Sequence, residues 1–483
     1  MNETSLFYDL KIIFPVIAIA LGGIVALATE SFLSRDGKHS VLPWINVFFL
    51  AVAAFILYSI SGAGFDGVWG DNWNLFAINW TRELFIYAII LCTFLGTAGL
   101  QSIMRAKKFS GGEGYPLLMF SASGIMLMVL SADLLPLFLG MELASFPIYA
   151  LVAINRHSHK SNESAYKYFI SGALFSAVFL YGIALFYGAT GSTNLGASFL
   201  DGRESIYGAG VLLLTIGLLF KIGAFPLHFW VADAYSGTLA TVTGFMAAVV
   251  KIGAFTALSA LWLGILNDGS AIAVKREAVL FFVLGLASVA VGAITGLAQT
   301  SARRVLAFSA VANAGFILLG FAYPYFANSS AESVNLSPAF YFLLTYALGS
   351  AGALTGISVL MSHDFDDLND LRGKAKKNPF IGTCITVCLA SLAGLPIAAG
   401  FLAKFRVFSG LVSSSFETPI VWGFAIAAFI LAIISAVYYL RIIYYLWSNN
   451  LSAKKQISVP AMLTAAIGAI TLSLLILAVW IPI

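Results

Sequence analysis

The sequence predicts an all-α integral membrane protein with about 14 transmembrane helices, and three observations predict it. Hydrophobic residues make up 60% of the 483 positions and charged residues only 10%, against about 25% charged in a soluble domain. The apolar residues gather in runs of about 20, the length that crosses a hydrocarbon core. The runs are continuous rather than alternating, which excludes strands, because lipid tolerates only helices and closed barrels. So much apolar surface could not be covered in one soluble core, so a cytosolic enzyme, a disordered chain and a nucleic-acid binder are excluded. The net charge of +4 adds little.

Polar or Gly/Pro-marked joints divide the chain into spans at 12–33, 41–61, 82–104, 115–132, 134–154, 164–189, 207–231, 239–266, 278–300, 304–322, 338–361, 379–409, 420–447 and 459–481. The first run follows Glu3, Asp9 and Lys11 rather than a basic stretch. It is too long for the apolar part of a signal peptide, so it reads as a retained span. Residues 1–114 then hold three spans, 115–266 five, 278–447 five, and 459–483 the last one.

Lys and Arg positions set the orientation. One set of alternate loops holds fifteen: Arg35, Lys38, Arg105, Lys107, Lys108, Arg156, Lys160, Arg303, Arg304, Arg372, Lys374, Lys376, Lys377, Lys454 and Lys455. The opposite set, with the N-terminal tail, holds five: Lys11, Arg82, Arg203, Lys275 and Arg276. This asymmetry puts both termini on the outer, non-cytoplasmic side. It also supports the span count, which a missed span would scramble.

Six of the 26 basic residues remain inside spans: Lys167, Lys221, Lys251, Lys404, Arg406 and Arg441. A lysine at a helix centre costs about 2.5–3.5 kcal/mol on insertion scales, so one that stays there faces protein or water and marks function. At about 1.5 Å per residue, Glu142 lies about 12 Å into its helix, Lys221 about 21 Å and Lys251 about 18 Å. Lys167 sits one turn inside the sixth span, where snorkelling to the headgroups competes with function. Arg441, followed by Ile-Ile-Tyr-Tyr-Leu-Trp, reads as part of an aromatic interfacial belt, and Arg406 is ambiguous.

Two spans carry breaks. The seventh contains Lys221-Ile222-Gly223-Ala224-Phe225-Pro226-Leu227-His228, and the twelfth contains Gly394-Leu395-Pro396 through Lys404. Proline lacks its amide hydrogen and clashes with the preceding turn, so each span should unwind there and free backbone groups for ions or water. Both broken spans are fourth in a five-span unit, counting spans 4–8 and 9–13. Five being odd, the two units point in opposite directions, which is the arithmetic of two inverted five-helix repeats. Burial disfavours a charged lysine and a nearby carboxylate favours it, so making and breaking a Glu142 pair would change the proton affinity of Lys221.

Other motifs fall away. Gly62-Ala63-Gly64-Phe65-Asp66-Gly67 matches G-x-G-x-x-G, but it follows a membrane helix rather than a strand. Asp364, Asp366, Asp367 and Asp370 read as a solvated loop, without the spacing of a calcium site. Cys92, Cys384 and Cys388 cannot supply the four thiolates that an iron–sulfur cluster usually takes, and form no Cys-x-x-Cys pair. A redox centre or metal in this chain is therefore not expected.

From about Pro116 to Arg441 the chain resembles the antiporter-like membrane subunits of respiratory complex I, specifically subunit N of NADH:quinone oxidoreductase, called subunit 2 in organellar forms. The segments that carry the resemblance are Leu139-Gly140-Met141-Glu142-Leu143-Ala144-Ser145, Glu163 through Phe169, Phe220-Lys221 with Pro226 through Trp230, Arg304 through Ser309, Asp370 through Gly373, and Gly394 through Phe405. The resemblance implies fourteen helices and a proton route along a mid-membrane polar axis. It assigns Glu142 as the helix-five glutamate, Lys167 as its helix-six partner, Lys221 as the central lysine, Lys251 as the connecting lysine and Lys404 as the lysine facing the exit, with His228 continuing the path.

The chain departs from the family where Asn313 stands in place of a common histidine, and Pro147 should bend the fifth helix more than usual. The resemblance places quinone, NADH or ferredoxin, flavin and iron–sulfur clusters in other subunits, none in this chain. It also implies further antiporter-like subunits as partners, and a bacterial-type inner, thylakoid or organellar inner membrane as the site. Two alternatives remain at this point. One is a subunit of a multi-subunit cation/proton antiporter or membrane-bound hydrogenase. The other is a non-transporting scaffold.

Overall fold

The computed structural model describes residues 3–61, 75–107, 111–267, 271–326, 335–361, 367–414, 419–449 and 459–480. Its α-helices are α1 (Glu3–Glu30), α2 (Arg35–Ser61), α3 (Trp80–Lys107), α4 (Gly114–Leu130), α5 (Leu134–Val152), α6 (His159–Thr190), α7 (Glu204–Ile222), α8 (Val231–Gly237), α9 (Ala240–Phe245), α10 (Lys251–Asn267), α11 (Ala271–Ala298), α12 (Ala302–Phe326), α13 (Ser337–Met361), α14 (Lys374–Lys377), α15 (Pro379–Ala393), α16 (Ala399–Ser414), α17 (Pro419–Trp447) and α18 (Ala461–Val479). Among the described residues twelve helical segments are long and apolar enough to cross a membrane, and the shorter apolar α4 and α15 bring the apolar segments to the expected fourteen. Among the described residues there are no strands, only isolated bridges such as Phe76 to Ser131. Gly62 to Gly67, Asp364 and Asp366 lie outside the described residues.

Local chemistry sets the ends. The Asp133 carboxylate accepts from the Leu135 amide at 2.8 Å and opens α5, and Ser158 does the same for α6. Gly191, at φ 73°, closes α6 in the left-handed conformation that glycine enters without a Cβ penalty. Pro147 sits inside α5, which nevertheless runs unbroken from Leu134 to Val152, so the expected bend does not interrupt the helix.

Burial ranks the helices from centre to lipid. In α13 the whole membrane window is buried, in α12 94% of it, whereas only 33% is buried in α2 and in α17. An apolar helix buried on every side is a core helix, and one buried on a third of its surface shows the rest to lipid. The centre therefore lies where α13 and α12 meet α9 and α16.

Small residues set the closest helix pairs. A Cβ on Gly124 of α4 would stand 2.4 Å from the Ala144 amide nitrogen of α5, and one on Gly292 of α11 would stand 2.5 Å from the Ala312 nitrogen of α12. Lipid supplies no hydrophobic drive between helices, so this backbone approach is what holds such pairs. We expect Gly124→Leu to lower the amount of assembled chain at least tenfold, measured by native gel and immunoblot of solubilised membranes. Normal assembly would show that the α4–α5 approach is dispensable.

Candidate functional site

The two broken spans unwind in the same way. Gly223 ends α7 at φ 73° and Gly394 ends α15 at φ 77°. After each, two successive amides fold back: Gly223 and Ala224 both onto the Leu219 carbonyl, Gly394 and Leu395 both onto that of Ala390. This is the Schellman closure of a helix by a left-handed glycine. The chain then runs through Pro226 to α8, or through Pro396 to α16. In the second break Ile397, a β-branched residue, takes φ 78°, a strained conformation of the kind that clusters at functional sites.

Lys221 is the penultimate residue of α7 and is 4% exposed. Its Nζ donates to Ser145 Oγ at 2.7 Å and to Tyr149 OH at 3.4 Å, and lies 5.7 Å from the centre of the Tyr149 ring. Glu142, Ser145 and Tyr149 are spaced i, i+3 and i+7, so they share one face of α5. The Glu142 carboxylate accepts instead from Ser176 Oγ of α6, at 2.5 Å. Among the described residues Glu142 and Lys221 form no ion pair, although Ser145, which accepts from Lys221, lies one turn from Glu142 on α5. The structure thus shows the carboxylate and the ammonium each held by a hydroxyl.

Lys251 begins α10 directly after a π-helical turn, Met246–Val250. Single π turns inside helices are frequent at functional sites, because the extra residue rotates the side chains that follow. Lys251 Nζ donates to the Ala310 carbonyl of α12 and lies 4.9 Å from the Tyr346 ring centre of α13. Lys404 of α16 reaches back across the break to the last carbonyls of α15, Leu392 at 3.1 Å and Ala393 at 2.9 Å, with the Phe316 ring 5.5 Å away. A cation is favoured at a helix C-terminus, where the free carbonyls concentrate partial negative charge.

Beside Lys404 lies a cavity of about 10 Å³, lined by Asn313, Thr345, Tyr346, Ser391 and Lys404 among others. That is about the space that one water needs. Asn313 is fixed there by its Nδ2, which donates to the Ser309 carbonyl at 2.8 Å and to Tyr439 OH at 2.9 Å. Tyr346 therefore contacts Lys251 on one side and borders the Lys404 cavity on the other. A cation held only by carbonyls, hydroxyls and ring faces keeps part of its solvation without a fixed counter-charge.

Two predicted residues stand apart from this row. Lys167 is exposed and pairs with Glu163 at 2.6 Å and with Asp233 of α8 at 3.3 Å, not with Glu142. The Glu142 partner from α6 is Ser176, nine residues further on, which places Lys167 about 13 Å along that helix. His228 lies in the first break with its Nδ1 buried, and among the described residues no hydrogen bond joins its ring to a lysine. Arg441 donates to the Leu297 and Gln299 carbonyls at the end of α11. Arg303, expected in a loop, is buried and donates to the Ser236 and Thr238 carbonyls.

Ser145, Tyr149, Ser176 and Tyr346 were missed from sequence. The i+3 and i+7 spacing from Glu142 was a usable signal for the first two. Ser176 and Tyr346 come from other helices and had none.

The comparisons with known proteins agree on one relationship. A family model described as NADH:quinone oxidoreductase/Mrp antiporter, TM, matches residues 131–435. NADH-quinone oxidoreductase subunit N of Trichlorobacter lovleyi is 33% identical over 468 residues, covering 92% of this chain and 90% of the relative. A chain of respiratory complex I from Thermus thermophilus superposes with TM-score 0.76 at 29% identity, covering 96% of this chain and 97% of its own. A chain of the Mrp complex from Dietzia superposes with TM-score 0.78 at 20% identity, over 96% of this chain and 94% of its own, which is a likeness of fold.

Proposed function

Because this chain belongs to the NADH:quinone oxidoreductase/Mrp antiporter membrane family, and within it to the subunit N group, we propose that it is the proton-translocating subunit N of a complex I type quinone oxidoreductase. The observation that carries the reading is the row of three lysines, Lys221, Lys251 and Lys404, each at most 7% exposed and each without a carboxylate partner among the described residues. A scaffold gains nothing from three such uncompensated cations, each of which costs several kcal/mol to bury. Redox chemistry belongs to other subunits, with quinone, NADH or ferredoxin, flavin and iron–sulfur clusters there. This chain contributes proton sites whose affinities change.

In this reading residues 115–266 and 278–447 are two inverted units. Their equivalent breaks at Gly223 and Gly394, and their equivalent glycine-packed pairs α4–α5 and α11–α12, support that division. When Glu142 leaves Ser176 and meets Lys221, the ammonium is stabilised. When it returns, Lys221 yields its proton to a neutral Lys251, which passes it on by way of the Asn313 cavity, bordered by Tyr346, to a neutral Lys404. Moving one charge against 100 mV costs about 2.3 kcal/mol. A hundredfold change in proton affinity, about 2.7 kcal/mol, covers it.

Lys167 enters this reading at the Asp233 side, and His228 as a polar group in the first break. The basic loops face the cytoplasm of a bacterial-type inner membrane or its organellar equivalent, and both termini lie outside.

The family also contains Mrp antiporter chains, so assembly is the test. Affinity purification of the tagged chain from gently solubilised membranes should bring down quinone-reductase subunits and further antiporter-like subunits. Recovery of cation/proton exchange subunits instead would assign the chain to the antiporter branch.

A further inference from the structure

The two glycine-packed helix pairs match residue for residue. A Cβ on Gly124 of α4 would meet the Ala144 nitrogen and the Gly140 carbonyl of α5 at 2.4 and 2.7 Å, and one on Gly292 of α11 would meet the Ala312 nitrogen and the Phe308 carbonyl of α12 at 2.5 and 2.6 Å. Gly124, Gly140 and Ala144 thus correspond to Gly292, Phe308 and Ala312. The residue after each alanine is Ser145 in α5 and Asn313 in α12. Asn313 therefore holds in α12 the position from which Ser145 of α5 accepts the Lys221 ammonium. One turn further along α5, Tyr149 adds its hydroxyl to Lys221. Its counterpart in α12 is Ile317, which has none.

In the second unit the hydroxyl comes from another helix. Tyr439 of α17 is fully buried, and its OH accepts from Asn313 Nδ2 at 2.9 Å. The same Nδ2 donates to the Ser309 carbonyl at 2.8 Å. A carbonyl only accepts, so the atom that meets it is the amide nitrogen, and this fixes which way the side chain points. With both Nδ2 hydrogens taken, Oδ1 is the part of the amide left for the cavity that Asn313 and Lys404 line. An ammonium carries three hydrogens. The Leu392 and Ala393 carbonyls take two from Lys404, which leaves one.

We propose that Tyr439 is a positioning residue for proton transfer at Lys404: by taking the second Nδ2 hydrogen of Asn313 it keeps Oδ1 turned to the cavity, so that Asn313 serves Lys404, through the one water that fits there, as Ser145 serves Lys221. This rests on the proton-translocation reading above and adds a residue outside the lysine row. Without the phenol, one buried Nδ2 hydrogen lacks an acceptor, a penalty that the amide relieves by turning Nδ2 into the cavity. That N–H then competes with the Lys404 ammonium for the same lone pairs, and proton transfer slows. The neighbouring tyrosine supplies the contrast. Tyr438 stacks its ring centre 4.6 Å from that of Tyr439 and is as deeply buried, yet among the described residues its hydroxyl has no hydrogen-bond partner.

The test uses the intact complex in sealed vesicles, with assembly followed by native gel. The protons per electron lost in Lys404→Arg, whose guanidinium does not release its proton, define the share that passes Lys404. Tyr439→Phe removes a single oxygen and should lower that share at least threefold, whereas Tyr438→Phe should pump as the parent. Adding Asn313→His to Tyr439→Phe should raise the share at least twofold over Tyr439→Phe alone. A neutral imidazole bonded to the Ser309 carbonyl through its one N–H has only its bare nitrogen left for the cavity, so it needs no second acceptor. Damage to packing would not be rescued in this way.

Pumping in Tyr439→Phe equal to the parent would overturn the role of Tyr439. So would an equal loss in Tyr438→Phe, no gain from Asn313→His, or failure of Tyr439→Phe to assemble, because each would make Tyr439 a packing residue. Undiminished pumping in Lys404→Arg would instead sink the proton-translocation reading at Lys404 itself, so the two failures appear in different variants.

Discussion

Replacing Lys221 with alanine should abolish proton translocation through this chain, and replacing it with arginine should do so as well. The alanine variant removes the ammonium that Ser145 and Tyr149 hold and leaves a short cavity at the end of α7. The arginine variant keeps the positive charge, but a guanidinium does not release its proton in proteins. A structural cation would tolerate arginine, whereas a proton carrier would not.

In the complex reconstituted into sealed vesicles, both variants should lower protons moved per electron to the level supplied by the remaining subunits, with assembly checked by native gel. Normal pumping in Lys221→Arg would remove Lys221 from the carrier role. Normal pumping in both variants would favour the scaffold reading.

Substituting Gly394 should have an effect of similar size by a different route. At φ 77° an L-residue costs about 1–2 kcal/mol, and a Cβ there would meet Lys404 Cδ at 2.9 Å. Gly394→Val adds β-branching to both problems. The closure of α15 should shift, the Leu392 and Ala393 carbonyls should turn away from the Lys404 ammonium, and proton translocation should fall at least fivefold in assembled complex. Gly423 of α17, where a Cβ would meet nothing within 4 Å, provides the control, and Gly423→Ala should behave as the parent. Equal pumping in Gly394→Val and the parent would show that the geometry of this break does not set the Lys404 site.

Much of this protein was readable in one dimension because lipid imposes a strong local rule. A segment that must satisfy its own backbone and face hydrocarbon has to be a long apolar helix. The fourteen apolar segments and the breaks at Gly223 and Gly394 follow from that rule applied to neighbouring residues. Arg303 shows its limit: a basic residue next to a loop reads as solvated, yet α12 begins at Ala302 and buries it beneath α8. Lys167 shows the same limit from the other side, since two and a half turns of α6 separate it from Ser176, the residue that meets Glu142, and place it beside Asp233 instead.

The sequence by itself determined the helical architecture and the membrane setting, because each depends on the free energy of a single segment in lipid. Tertiary structure alone decided what the buried lysines touch. Ser145, Ala310, Tyr346 and the α15 carbonyls reach their lysines from other helices or across a break. Such partnerships are set by helix packing, where the closeness of two backbones at Gly124 or Gly292 fixes which side chains meet.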